Sequence, residues 1–581
     1  MKRLILFLFL FSLAIEARAS DYYIDFVGGS DSNDGLTKTT AWKHSPGMTG
    51  VSGVPAAIDT YTGLDENSAQ TPCYNGCNYS DYNFIFKGGV TWDNTSFPWT
   101  IRQYGTSGHT VKWTVDNTWF TGGSWARPIF NWGGISSGDF CNHMLIFAPV
   151  AYWVFDNFEW TGLYWSTCQT STGYIALGIG GNGELKNNYF HGWTHSTATG
   201  TYDPCTLTAG NSEGVDVTTT AHDNVFDGTD STDYSTGYTT CYAFNGHPAI
   251  VYNNWMSYVV NGWLGAYPVS FYQNTCDHVG NSWSFAHGGN EVHDQCFESN
   301  VDRDNFVFHD NLIQHTNAGI MVNTTPPLNY NTYIFNNVSW DRLGNGNGYV
   351  CYYPIAGGQG GTCNYYNNTN HDDISGVQNF VGCFDTSPNF ITACNYKNNH
   401  FIGPKATSIS TDCAASTTCH QDHNLGQTVA TANSNGYYDS TMYPYSPTII
   451  SGGTIGTGVN LSSNCGLLPS LCITSTVGVG YNQTSHTVIV PNFTNPLNRS
   501  PSGDWDIGAY QFTNSILAPS LFGFTYHTVV TQNITKTKMT LMLLFYPVFT
   551  TSLLIALQQL LAKRSTKVNV SVKEKVGVRV R

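Results

Sequence analysis

The chain reads as an all-β solenoid, and three observations carry that reading. First, a four-residue phrase recurs along the middle of the chain: FDNF at Phe155, KNNY at Lys186, HDNV at His222, YNNW at Tyr252, YQNT at Tyr272, HDNL at His309, FNNV at Phe335, YNNT at Tyr366 and KNNH at Lys397. Each phrase has a long or bulky residue, a polar residue, an Asn (157, 188, 224, 254, 274, 311, 337, 368 and 399), and then usually another bulky residue. Repeats spaced by roughly 20–50 residues signal coils that bury an apolar face only against their neighbours. The phrase keeps its form while its spacing varies, as expected if insertions bulge from one turn of each coil. Second, short alternating runs such as YWVFDNFEW (152–160) and NFVFHDNLI (305–313) are common, and the 3.6-residue apolar period is scarce. Third, the 581 residues include 59 Gly, 35 Tyr and 32 Phe and only 11% charged side chains, a mixture that favours turns and strands over helices. Asn suits the recurring turn, because it tolerates left-handed backbone and its amide bonds to its own kind one coil away.

From the N-terminus, residues 1–20 (MKRLILFLFLFSLAIEARAS) have a basic start, an apolar run and small residues at Ala17 and Ala19, the pattern of a secretory signal peptide. All 16 Cys follow it, and an even count on an exported chain implies disulfides. Close spacing suggests clips at Cys73–Cys77, Cys413–Cys419 and Cys465–Cys472. Residues 21–512 hold 12 basic against 37 acidic residues. A body that acidic argues against nucleic acid, whose affinity rests on basic phosphate contacts. It also disfavours a polyanionic sugar unless a bound cation bridges the two.

Three stretches then point to a family. DYYIDFVGGSDSNDGLTKTTAWKHSPGM (21–48) is a strand followed by a turn cluster, FIFKGGVTW (84–92) reads as the first full coil, and DWDIGAYQF (504–512) reads as a closing motif. Together with the repeats they resemble secreted right-handed parallel β-helix proteins of the pectate-lyase-like superfamily. The resemblance covers nearly all of 21–512 and implies a single-domain right-handed parallel β-helix. It implies polysaccharide as the partner and no one activity, because this fold hosts lyases, hydrolases, adhesins and proteins without chemistry. Members with known activity bind sugar chains in grooves on the sheets, with Asp clusters that hold calcium or act as acids. Calcium is therefore the metal the resemblance implies.

After Phe512 the repeat is absent. Residues 513–539 read as a linker, and TLMLLFYPVFTTSLLIALQQLLA (540–562) runs 23 residues without a charge. That is long enough to cross a hydrocarbon core of ~30 Å as a transmembrane helix. The basic residues from Lys563 on then place 563–581 on the cytoplasmic side. An amphipathic helix is the competing reading, and nothing in the sequence sets the oligomeric state.

No compact catalytic motif is present, so the candidate site rests on register. If the Asn residues stack, positions at a fixed offset from each form a column along one wall. Three residues on lie Asp277, Gln314, Trp340 and His371; four on lie His278, His315, Asp341 and Asp372; five on lie Arg342 and Asp373. Asp277, His278, His315, Asp341 and Arg342 are candidates for acid–base work, Trp340 and His371 for substrate contact, and Asp372 and Asp373 for metal. The loop SFAHGGNEVHDQCFESNVDRDN (284–305) adds Arg303 to the catalytic set and His287 and Glu291 to the substrate-binding set. The duller reading is solvated turn residues on a corner. Two enzyme readings follow, polysaccharide lyase and glycoside hydrolase, with a non-catalytic surface adhesin or envelope protein as the alternative. Trp193, Trp255, Trp263 and Trp283 invite a sugar-stacking reading too, but aromatic stacks in the core explain most of them.

Overall fold

The computed structural model describes residues 21–58 and, between 79 and 512, chiefly the strands and corners of a solenoid. Most loops leading into its third sheet (for example 231–240, 281–294, 341–348 and 372–380), together with 1–20, 59–78 and 513–581, lie outside the described residues. The chain divides into two units, Met1–Leu517 and Ala518–Arg581, and every described residue falls in the first.

A full coil contributes strands to three sheets. One circuit runs from Asn261–Ala266 in the third sheet through Ser270–Tyr272 in the first and Thr275–Asp277 in the second, then back to the third at Gln295–Val301. Thirteen strands stack in the first sheet, twelve in the second and nine in the third. Pairing within all three is parallel, so the body is a parallel β-helix. Its interior is a column of aromatic side chains; Phe271 and Phe308 of successive coils stack at 5.2 Å and 4°. Trp42, Trp92, Trp99, Trp113, Trp153, Trp160 and Trp193 are fully buried, which assigns Trp193 to the core.

The corner between the first and second sheets divides between two residues the work the sequence reading gave to one. The left-handed residue is the polar one before the ladder Asn: Asn187, Asp223, Asn253, Gln273, Asp310, Asn336, Asn367 and Asn398 all have φ of 52–57°. Asn and Asp tolerate that region best among residues with a Cβ. The Asn that follows is completely buried, and its Nδ2 donates to the Oδ1 of the next coil's Asn at 3.0–3.2 Å, from Asn188 through Asn224, Asn254, Asn274, Asn311, Asn337, Asn368 and Asn399 to Asn424. Its backbone N–H donates to the same oxygen, as Asn311 does to Asn337 at 2.9 Å. Asn157 is not part of this ladder. Asp156 pairs with Lys186, which shifts FDNF by one place. Asn157 therefore takes the left-handed position at φ 73°, and buried Phe158 stands where the ladder Asn would be, its N–H donating to Asn188 Oδ1.

The segment after the last coil returns along the outside of this corner as a strap. Asn398 grips the backbone of Val459 with both amide atoms, Asn336 donates to Ser470 O, and Thr275 exchanges two 2.8 Å bonds with Val479. A hairpin, Gly480–Asn482 with Thr487–Ile489, reaches Arg127, whose guanidinium donates to Ser485 O. The chain then runs back to the DWDIGAYQF stretch, where Trp505, Asp506, Ile507, Ala509 and Tyr510 are buried. That motif packs beside Phe335, Tyr366, Leu312 and Val338, along the side of the stack.

Of the expected clips, Cys465–Cys472 is formed, Cys419 is disulfide-bonded, Cys73 and Cys77 lie outside the described residues, and Cys413 is described only as part of the strand Asp412–Cys413, without its side chain. The sequence reading did not include Cys276–Cys296, which joins the second sheet to the third across the core with a Cα separation of 5.6 Å. No described helix is long and apolar enough to cross a membrane, and residues 540–562 are outside the described set.

Candidate functional site

The second corner, where the second sheet ends, repeats the left-handed device with a different side chain. Tyr258, His278 and His315 each sit four residues after a ladder Asn, with φ of 53°, 54° and 50°. Each backbone N–H donates to the carbonyl of the next coil: Tyr258 to Asp277, His278 to Gln314 and His315 to Trp340. The rings are thereby stacked, Tyr258 on His278 at 4.7 Å and His278 on His315 at 4.6 Å, with the Trp340 indole edge-on to His315 at 5.2 Å. Ladder pairing puts Asp277, Gln314 and Trp340 side by side on adjacent strands.

Asp277 Oδ1 is the focus of this corner. Nδ1 of His278 lies 2.8 Å from it and Nδ1 of His315, from the next coil, 2.7 Å. Burial by itself raises a carboxyl pKa, but bonds from the two imidazoles outweigh it and hold Asp277 below the usual range. The side chains are 16%, 34% and 21% exposed for Asp277, His278 and His315, so the cluster is anchored yet reachable. An ionised carboxylate with two imidazoles offers a positioned base or a set of metal ligands.

The remaining candidates fall elsewhere. Trp340 is in register with the cluster but packs against the strap-side residues Leu312, Val338, Val477 and Ala509 and against Ile402 and Tyr437. His371 is buried, at 3% exposure, which takes it out of reach of a ligand. The loop expected over 284–305 is shorter than read, because Gln295–Val301 is a strand. Arg303, His287, Glu291, Asp341, Arg342, Asp372 and Asp373 lie outside the described residues. Trp255 is covered by Tyr481 of the strap at 5.6 Å, and the side chains of Trp263 and Trp283 are outside the described set.

A second polar region, on the outer face of the first sheet, was missed although its signal was visible. The first letter of each phrase after FDNF falls in one column on this sheet, in which His222, Tyr252, Tyr272, His309 and Phe335 stack at 4.6–5.0 Å with interplanar angles of 3–5°. Each ring face is taken by its neighbour, and of the five only Tyr252 and Tyr272 are more than marginally exposed, so the column offers no platform for a sugar ring. At its N-terminal end Glu184 accepts from His222 Nε2 at 2.8 Å and Lys186 Nζ at 3.0 Å, and is held down to about 2, the His222 bond being the largest cause. Burial pushes Asp156, one coil earlier, up. Both line a hollow of about 520 Å³ with Asp21, Asn83, Lys112 and Lys186.

Fold and site together define a parallel β-helix protein with a carboxylate–imidazole cluster held in register on one corner. No protein-family profile matches the chain, and no curated protein sequence matches it. Among solved structures it is similar to pectate lyase Pel9A (12% identity, 86% of this chain and 97% of that one, TM-score 0.38) and to a lacto-N-biosidase of the GH136 type from Eubacterium ramulus (12%, 70% and 68%, 0.34). A rhamnogalacturonan lyase is similar at 9% identity over 77% of this chain and 98% of that one, with a TM-score of 0.33.

Proposed function

We propose that the protein is exported and membrane-tethered, that it acts on polysaccharide, and that its reaction is β-elimination from an acidic sugar at the Asp277–His278–His315 corner. The observation that carries this reading is one carboxylate oxygen shared by two imidazoles from adjacent coils at a partly open surface. Elimination needs a base for the proton beside the sugar carboxylate and a positive group to hold that carboxylate. The base takes the proton, the electron pair becomes the C=C bond, and the glycosidic oxygen leaves with a proton. Glycoside hydrolysis instead needs two carboxyls about 5–9.5 Å apart, whereas the close cluster here is one carboxyl with two imidazoles. Arg303 and Arg342 are proposed to complete the site, with His287 and Glu291 as further substrate contacts.

A hydrolase is the second reading, favoured by Asp156 and Glu184, neighbouring carboxyls whose surroundings push their proton affinities in opposite directions. A polysaccharide panel separates the readings. Elimination yields an unsaturated sugar acid with new ultraviolet absorbance, abolished by Asp277→Asn and kept by Glu184→Gln. Reducing ends without that absorbance, abolished by Glu184→Gln, support hydrolysis. Binding without turnover supports the adhesin.

A further inference from the structure

We infer that Asp277, His278 and His315 form a site for a borderline divalent transition metal of the zinc class. Calcium, the cation the fold resemblance implies, does not suit these donors. The ligand atoms offered by the three side chains all lie within 4.8 Å of one another. Two are imidazole nitrogens and one is a carboxylate oxygen. Calcium and magnesium take oxygen ligands, whereas imidazole suits zinc and its neighbours. Three protein ligands with the fourth position left to solvent is the pattern of metal sites that bind a substrate group.

The spacing is close to what such an ion needs. Donor atoms around a tetrahedral ion with bonds of about 2.0–2.2 Å sit roughly 3.4 Å apart. The two N···O contacts here, 2.7 and 2.8 Å, must therefore open by roughly 0.6 Å. The frame around the ligands is rigid. Both His residues are fixed by backbone bonds to the next coil, Tyr258 covers one ring face of His278, and the Cys276–Cys296 disulfide adjoins Asp277 in the chain. Among the described left-handed residues at this corner are Gly192, Tyr258, His278 and His315, and the two imidazoles fall on consecutive coils with the Asp277 carboxylate bonded to both.

The role of the ion rests on the proposed elimination reaction, in which the loaded corner supplies the positive group and the base comes from outside the three ligands. It would give a strongly acidic body the positive charge that holds a sugar carboxylate. Its binding does not rest on that reaction.

The test uses the full chain, stripped with a chelator and titrated with zinc, calcium and cobalt(II) by calorimetry and visible absorption. We expect one zinc per chain, no calcium at this site, and the intense visible bands of four-coordinate cobalt. His315→Ala and the more conservative His315→Gln should each weaken zinc at least tenfold, with a folded circular-dichroism spectrum, while His109→Gln, at an exposed imidazole paired with Asp81, binds as the parent does. Absence of zinc binding, or binding unchanged in both His315 variants, overturns the inference. If zinc fails to bind while Asp277→Asn still abolishes elimination, the metal falls and the lyase reading stands. If zinc binds and no acidic polysaccharide is cleaved or bound, the metal stands and the lyase reading falls.

Discussion

Neighbouring residues that look alike in the sequence carry different loads. In the phrase KNNY, Asn187 holds the left-handed turn while Asn188 carries the hydrogen-bond ladder. Replacement by Gly separates the two roles, since Gly adopts positive φ without strain but has no amide. Asn157→Gly should change unfolding free energy by less than about 0.5 kcal/mol. Asn311→Gly orphans buried donors and acceptors on both sides and should cost at least about 1–3 kcal/mol. Chemical denaturation checks both, and equal losses would sink the division of labour. A second residue-scale expectation concerns His191. Burial opposes its charge, yet bonds to Asp230 and Glu159 raise it to about 9 from 6.5. A raised imidazole stabilises fully below 6.5, and its contribution is lost as pH rises through about 9. Melting temperatures of the parent and His191→Gln should therefore differ most below pH 6.5 and converge above pH 9. A difference that grows with pH would contradict this.

Among the elements, the strap is the one whose attachment the repeats did not announce. Its buried Arg499 donates to Asn336 Oδ1 and to the carbonyls of Gly508 and Ala509. Burial draws that guanidinium down to about 10, so it stays charged at neutral pH. Arg499→Met leaves those acceptors unpaired in a dry site, and should cost about 3 kcal/mol by thermal or chemical unfolding. A loss below 1 kcal/mol would mean that Arg499 contributes little to holding the strap on the coils. Among the described residues of the wall predicted from register, Trp340 packs beside strap residues and His371 is buried, which leaves Asp277, His278 and His315 within reach.

At the scale of the whole molecule, the described body is complete by Phe512, because the DWDIGAYQF stretch is buried against the coils. Truncation after Phe512 should therefore give a soluble body with an unchanged melting temperature. Aggregation or a lowered melting temperature would show that residues beyond 512 support the fold. Much of that body was legible in the residues themselves. The recurring Asn specified the coil and its step because a buried amide needs a partner, and the partner one coil away is another Asn. The offset from each Asn likewise brought Asp277, His278 and His315 together, since parallel pairing preserves register across strands. Other features had no local signature. Asn157 was misplaced because the phrase does not say which polar letter turns the chain; only the pairing of Asp156 with Lys186 does. The Cys276–Cys296 bond, the strap across Thr275 and the burial of His371 depend on segments distant in the chain meeting in space. Periodic, short-range chemistry was written in the sequence, whereas the tertiary structure alone decided which faces of the periodic stack were covered and which were left open to a ligand.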